Sequence, residues 1–126
     1  MMNEMPSRWR YHISNGELER RWSAVRSAMA KEDIDCLVLN GYDNMLGGYL
    51  RWFTDIPLAD YPLSALFFRE ADMTFIGHGG VGTRSLAPCY SRGIEDAPAT
   101  PMMPTLWYTD HYVPDLMIES IKRHGC

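Results

Sequence analysis

Apolar positions gather in separate blocks along the chain, and each block keeps its own period. Leu18, Trp22, Val25 and Met29 recur at spacings of four, three and four, which lays them on one stripe of a helix. Glu19, Arg20, Arg26 and Lys31 fall largely off that stripe. Ser14-Asn15-Gly16-Glu17 stands in front of it as a capping box, in which the Ser14 hydroxyl accepts the residue 17 amide and Glu17 reaches back to the Ser14 amide. These features predict a helix from Gly16 to Glu32. Before it, residues 1–13 read as a leader in which Trp9, Tyr11 and Ile13 could pack as a short edge segment.

The run Ile34 to Leu39 is too short and too continuously apolar for an amphipathic helix, and it suits a strand buried on both faces. Turn residues Asn40 to Asn44 end it, and Tyr49 to Phe53 follows as a short strand or helical turn. Asp55 to Pro62, with two prolines and two aspartates, reads as an exposed loop. Leu63 to Phe68 and Met73 to Ile76, apolar runs separated by Arg69-Glu70-Ala71-Asp72, predict a hairpin. From Gly77 to Thr105 glycines and prolines abound without a sustained period; a helix near Val81 to Ala87 and a strand near Ser91 to Ile94 are the expectations there. Val113, Leu116, Met117 and Ile121 mark a closing helix with Pro114 in its first turn, cations Lys122, Arg123 and His124 in its last, and Gly125 as its C-cap. The chain stops one residue later, where an alternating αβ pattern places another strand, so a cut before that strand is expected.

The predicted elements describe an α/β domain over residues 14–126: a mixed β-sheet of about five strands with helices on both faces. A length of 126 residues suits one domain, and 46% apolar with 22% charged residues is ordinary for a globular chain. The formal charge is −4 and the twelve Lys and Arg residues are scattered, so no basic stripe for nucleic acid exists. Arg20, Arg21 and Arg26 alternate with Glu17 and Glu19, as on a solvated helix face. No apolar run near the start reads as a signal peptide or membrane span. The three cysteines, Cys36, Cys89 and Cys126, are too few for a disulfide scaffold, which points to a reducing, cytoplasmic compartment.

The ordered set is a capped helix, Asp33-Ile34-Asp35-Cys36-Leu37-Val38-Leu39, Asp43-Asn44, then Tyr49-Leu50-Arg51-Trp52-Phe53 and the hairpin. It resembles the amino-terminal domain shared by creatinase, prolidase and Xaa-Pro aminopeptidases. The resemblance covers Ser14 to Ile76, with the closing helix as a further match. It implies a ribonuclease-H-like αβ domain that is itself non-catalytic, serves dimerisation, and shapes the substrate pocket of the partner subunit. It also implies a parent hydrolase, a homodimer acting on a small molecule or peptide. That parent's larger "pita-bread" domain would hold two divalent metals (manganese or cobalt) on two Asp, one His and two Glu, all beyond Cys126. No cofactor or metal is then expected in this chain. Asp33 stands where the family has Gly, two extra residues separate Asn44 from Tyr49, and Arg51-Trp52 replaces Thr-Gly. The last two departures concern the loop that approaches the neighbouring active site, so a preference for dipeptides ending in proline does not carry over. The alternative is a free-standing α/β binding or interaction module with the same layout.

Arg51, Trp52 and Tyr61, with Asp55 and Asp60, are the substrate-pocket candidates. Arg can hold a carboxylate bidentately and aromatics can wall an apolar group; the simpler reading is that Trp52 packs on the sheet and Arg51 pairs with an acid. Asp110, His111 and Asp115 could ligate a metal, although Asp110 more simply caps a helix. His78 to Thr83 could cradle a phosphate, but its spacing fits neither a Walker loop nor a dinucleotide fingerprint. Cys89 reads as an ordinary loop thiol rather than a nucleophile. Met102, Met103, Leu106 and Trp107 form either an exposed apolar patch or chain packed under the sheet edge.

Overall fold

The structure is a computed structural model that describes residues 12–41, 48–56, 63–79, 82–84, 86, 90–101 and 111–126. Helix α1 spans Asn15–Lys31, and Leu18, Trp22 and Met29 of the apolar stripe are its buried residues. Ser14 caps it as expected, its hydroxyl accepting the Glu17 amide at 3.2 Å. The other half of the capping box does not form. Glu17 turns instead to Arg20 and Arg21, whose guanidinium groups lie 2.7 and 2.8 Å from its carboxylate oxygens.

At its C-terminal end α1 closes in a Schellman turn. The Glu32 and Ile34 amides donate to Ala28 O and Met29 O, and Asp33 between them adopts φ +52°. Ile34 then leads into strand β1 (Cys36–Gly41). Helix α2 (Gly48–Thr54) follows, so Tyr49 to Phe53 is helical. Strands β2 (Leu63–Phe68) and β3 (Met73–His78) form the expected hairpin, and β1 pairs with β2 antiparallel along its whole length.

The chain then crosses over, and β4 (Ile94–Asp96) and β5 (Ala99–Thr100) pair in parallel with successive halves of β3. Proline 98, which has no amide hydrogen to give a ladder, lies between them, and its carbonyl accepts from Gly77 at 3.2 Å. The sheet is therefore mixed and five-stranded. The strand expected near Ser91 to Ile94 starts later, because Arg92 and Gly93 form a turn. The helix expected near Val81 to Ala87 is not formed at the described positions 82–84 and 86, where Gly82 at φ +85° is incompatible with a helix.

Helices cover both faces of the central strands. Leu39, Leu63, Ala65, Phe67, Met73 and Phe75 meet α1 and α2. On the opposite face Thr74 bonds Ser120 of α3 (Tyr112–Arg123) at 2.7 Å, and Phe68 stacks on His124 with ring centroids 4.0 Å apart. Strand β1 departs from the expected burial on both sides. Leu39 is buried and Leu37 is partly buried against the core, yet Val38 is 52% exposed. In the strand order β1 is the outermost strand, beyond the reach of α3, so only its inward face meets a helix. Gly125 ends α3 as expected, at φ +72°, with its amide donating to Lys122 O and that of Cys126 to Ile121 O.

Candidate functional site

A seven-residue helix such as α2 is too short to persist on its own. Packing holds it: Leu50 and Phe53 are buried, and Phe53 meets Phe67 edge-on at 4.9 Å. The indole N–H of Trp22 donates to Phe53 O at 2.8 Å, tying α2 to α1. The Thr54 hydroxyl donates to Leu50 O at 2.9 Å and accepts the Ile56 amide at 3.1 Å, which ends the helix.

Asp55 locks that end. It sits at φ +57°, with its amide donating to Arg51 O at 2.7 Å, and its side chain is only 2% exposed. A buried carboxylate needs partners. It accepts from the Ile13 amide at 2.9 Å and from Arg92 Nη2 at 2.8 Å. Arg92 also donates to Ile13 O and to Asn15 Oδ1, so one guanidinium joins the chain ahead of α1, the end of α2 and the turn before β4.

This fixed helix presents Arg51 and Trp52 outward. The Arg51 side chain is 60% exposed, with Nε 3.8 Å from Asp55 Oδ1, and Trp52 is 37% exposed. Arg21 of α1 lies over the Trp52 ring at 5.0 Å and donates to Trp52 O at 3.1 Å, while Trp52 meets Phe53 edge-on at 4.9 Å. The structure thus brings Arg51 and Trp52 to one surface together with Arg21. Asp55 turns away from that surface into the joint. Tyr61 and Asp60 lie outside the described residues.

The sequence reading missed Arg21 and Arg92. Arg21 and Arg26 were expected on a solvated face; only Arg20 behaves that way. Arg21 is 17% exposed, and Arg26 reaches Phe68 O at 3.1 Å and Ala71 O at 2.6 Å across the Phe67 ring. The stripe geometry held the signal for both, because Arg21 and Arg26 flank Trp22 and Val25 and their stems must cross the buried edge. Nothing local to Arg92 marks it.

Chemically, the surface offers a stacked cation–π pair beside a second, exposed guanidinium. Arg21 is spent on Glu17 and Trp52 O, so the cation open to a ligand here is Arg51, next in the chain to the indole, and a guanidinium of that kind suits a carboxylate. Glu17 keeps Arg21 in place. Hydrogen bonds from Arg20 and then Arg21 hold its carboxyl down at about 2 from an ordinary 4.5, so it stays charged at neutral pH.

The other candidates resolve simply. Gly77 and Gly79 spend their amides on Pro98 O and Thr100 O, and His78 Nδ1 lies 2.9 Å from the Thr100 hydroxyl. Those two amides are therefore already bonded within the sheet edge, and Gly80 and Val81 of the same stretch lie outside the described residues. The N-cap of α3 is His111, without a side-chain capping bond; Asp110 lies outside the described residues, as do Cys89, Met102, Met103, Leu106 and Trp107. Among the described residues no three His, Cys, Asp or Glu side chains are grouped to hold a metal ion. Among them, too, no helix is long and apolar enough to cross a membrane.

No protein-family model matches the chain, and no curated protein matches its sequence.

Proposed function

We propose that this chain is the non-catalytic amino-terminal domain of a creatinase/prolidase-like hydrolase, of the ribonuclease-H-like type. In this reading it dimerises and lends the α2 surface to the substrate pocket of the partner subunit. The observation that carries it is α2 itself. The element after the first strand is a short helix clamped from behind by Trp22, Asp55 and Arg92, with Arg51 and Trp52 turned outward. It occupies the place in the chain where that family's loop approaches the neighbouring active site. Asp33 adds support: its φ of +52° is the left-handed conformation that a glycine at the same place in the family pattern adopts without cost. The outward pair supplies recognition, Arg51 for a carboxylate and Trp52 for an apolar wall. Proton transfer and metal chemistry belong to the parent's larger domain.

The reading frame tests this directly. It is expected to continue past Cys126 into a domain carrying two Asp, one His and two Glu as prospective metal ligands. A stop codon there would leave the free-standing binding module instead. The purified 126-residue chain is expected to hydrolyse neither X-Pro dipeptides nor creatine, with or without manganese. Turnover that survives purification controls would overturn the assignment.

A further inference from the structure

Polar ties do much of the work of holding α3 to the sheet. Of its residues only Ser120 is fully buried, and Ile118 is 48% exposed. The ties gather in its C-terminal half: Ser120 on Thr74, Glu119 on Arg84, Arg123 on Asp96, and His124, the C-cap, on Glu95 of β4. The His124 ring also lies stacked on Phe68 of β2, which is 1% exposed.

Both ring nitrogens of His124 face acceptors. Nδ1 lies 2.7 Å from Ser120 O, and Nε2 lies 2.5 Å from Glu95 Oε1. A carbonyl oxygen cannot donate, so Nδ1 carries hydrogen. A neutral imidazole would then turn only a lone pair to a carboxylate, and the two would repel. The contact therefore needs one further proton between Nε2 and Oε1, and the pair holds it whichever atom bears it. The surroundings suit that proton, because a helix C-terminus and an aromatic face both favour positive charge. From the other elements, Asp35, Arg69, Glu70 and Cys126 line the cavity of about 310 Å³ beside His124. Arg69 is taken up by Asp35 at 2.5 Å and Glu70 at 3.4 Å. On the helix itself Lys122 is exposed, and Arg123 is turned to Asp96 at 3.1 Å.

We propose that His124 and Glu95 form a proton-operated latch, in which the shared proton holds the last turn of α3 on β4 and its loss frees that turn and uncovers Phe68. The proton passes to solvent, and no bond between heavy atoms forms or breaks. The closed latch binds a proton that the open one releases, so opening is favoured as pH rises through the range where histidine titrates, roughly pH 5 to 8.

Hydrogen exchange read by mass spectrometry on the full, folded chain tests this at pH 6 and pH 8. The amides of residues 124–126, which donate to carbonyls of the last turn, are the reporters. Corrected for intrinsic exchange, their protection should fall at least about threefold from the lower pH to the higher, as local opening without global unfolding. Glu95→Gln changes a side chain that is 39% exposed, and its carboxamide can donate to a neutral Nε2. That variant should keep the turn protected equally at both values. Unchanged protection in the wild type, or the same fall in Glu95→Gln, overturns the proposal.

Discussion

Gly93 is the position where a single methyl group tests the packing behind the α2 surface. It lies at φ +65°, and a Cβ there would stand 2.5, 2.8 and 2.9 Å from Cη2, Cζ3 and Cζ2 of Trp22. The indole cannot easily yield: it is 9% exposed, and its N–H is committed to Phe53 O at 2.8 Å. In Gly93→Ala the left-handed backbone costs about 1–2 kcal/mol. The overlap costs about 1–3 kcal/mol, while reduced freedom of the unfolded chain returns about 0.4–1 kcal/mol. The net loss is about 2–4 kcal/mol, out of a total stability on the order of 10 kcal/mol. Urea unfolding followed by far-ultraviolet circular dichroism should show the midpoint falling by about 1–2 M with m unchanged. Trp22→Phe removes the clashing ring atoms but leaves the Phe53 carbonyl without its donor, at about 1–3 kcal/mol. The double variant should therefore be more stable than the sum of the single losses implies, by about 1–3 kcal/mol. Wild-type stability for Gly93→Ala, or simple additivity of the pair, would refute this account of the joint.

Other sites give further expectations. Asp33→Gly should stabilise by about 0.5–1 kcal/mol, because glycine adopts a left-handed helix terminus freely. The Arg69–Asp33 pair that it removes, 3.6 Å long with Asp33 almost fully exposed, contributes little, so a calorimetric melting point that fails to rise would count against the Schellman reading. Arg92→Met leaves the Asp55 carboxylate buried without its guanidinium and should cost about 3–5 kcal/mol; adding Asp55→Asn should recover part of that loss in the same urea titration. Because the Glu17 carboxyl is held down at about 2 from 4.5, its contribution is present above 4.5 and is lost as pH falls from there toward 2. The acid-side loss of stability should therefore be shallower in Glu17→Gln over that window, and an identical slope would remove the Arg20–Glu17–Arg21 cluster from the account.

The parts legible in the sequence are those set by local period and by turn chemistry. The stripe Leu18, Trp22, Met29, the Ser14 cap and the Gly125 terminus all fall where spacing places them, as does the hairpin around Arg69 to Asp72. Burial on β1 was not legible, because Ile34 to Leu39 is continuously apolar whether a strand lies at the centre or the edge of a sheet. Strand order decides that, and order is a long-range property. The Asp55–Arg92 pair was likewise hidden, since it joins residues 37 apart in sequence. Arg51 and Trp52 were found because they share one turn of chain; Arg21 was not, because its partner Trp52 lies 31 residues away.

A pattern in the arginines bears on how the α2 surface works. Arg21, Arg26 and Arg92 direct donors to backbone carbonyls: Trp52 O, Phe68 O with Ala71 O, and Ile13 O respectively. Each ties irregular chain to the sheet–helix core, where backbone acceptors would otherwise depend on solvent. Arg21 and Arg26 rise from the same helix that buries Leu18, Trp22 and Met29, so the placement of α1 sets the end of α2 and the β2–β3 turn at once. Arg51 differs, since its guanidinium is mostly exposed and its nearest acid lies at 3.8 Å. The α2 surface therefore combines a backbone held by Arg21, by Trp22 and, through Asp55, by Arg92 with one loosely held charge. A ligand meeting it would order a single side chain rather than a loop, which keeps the entropic cost of binding to about 0.5–1.5 kcal/mol for that side chain. If Arg51 and Trp52 bind the ligand as proposed, weakening the joint should raise that cost, so Gly93→Ala is expected to lower affinity in a binding titration without touching either residue.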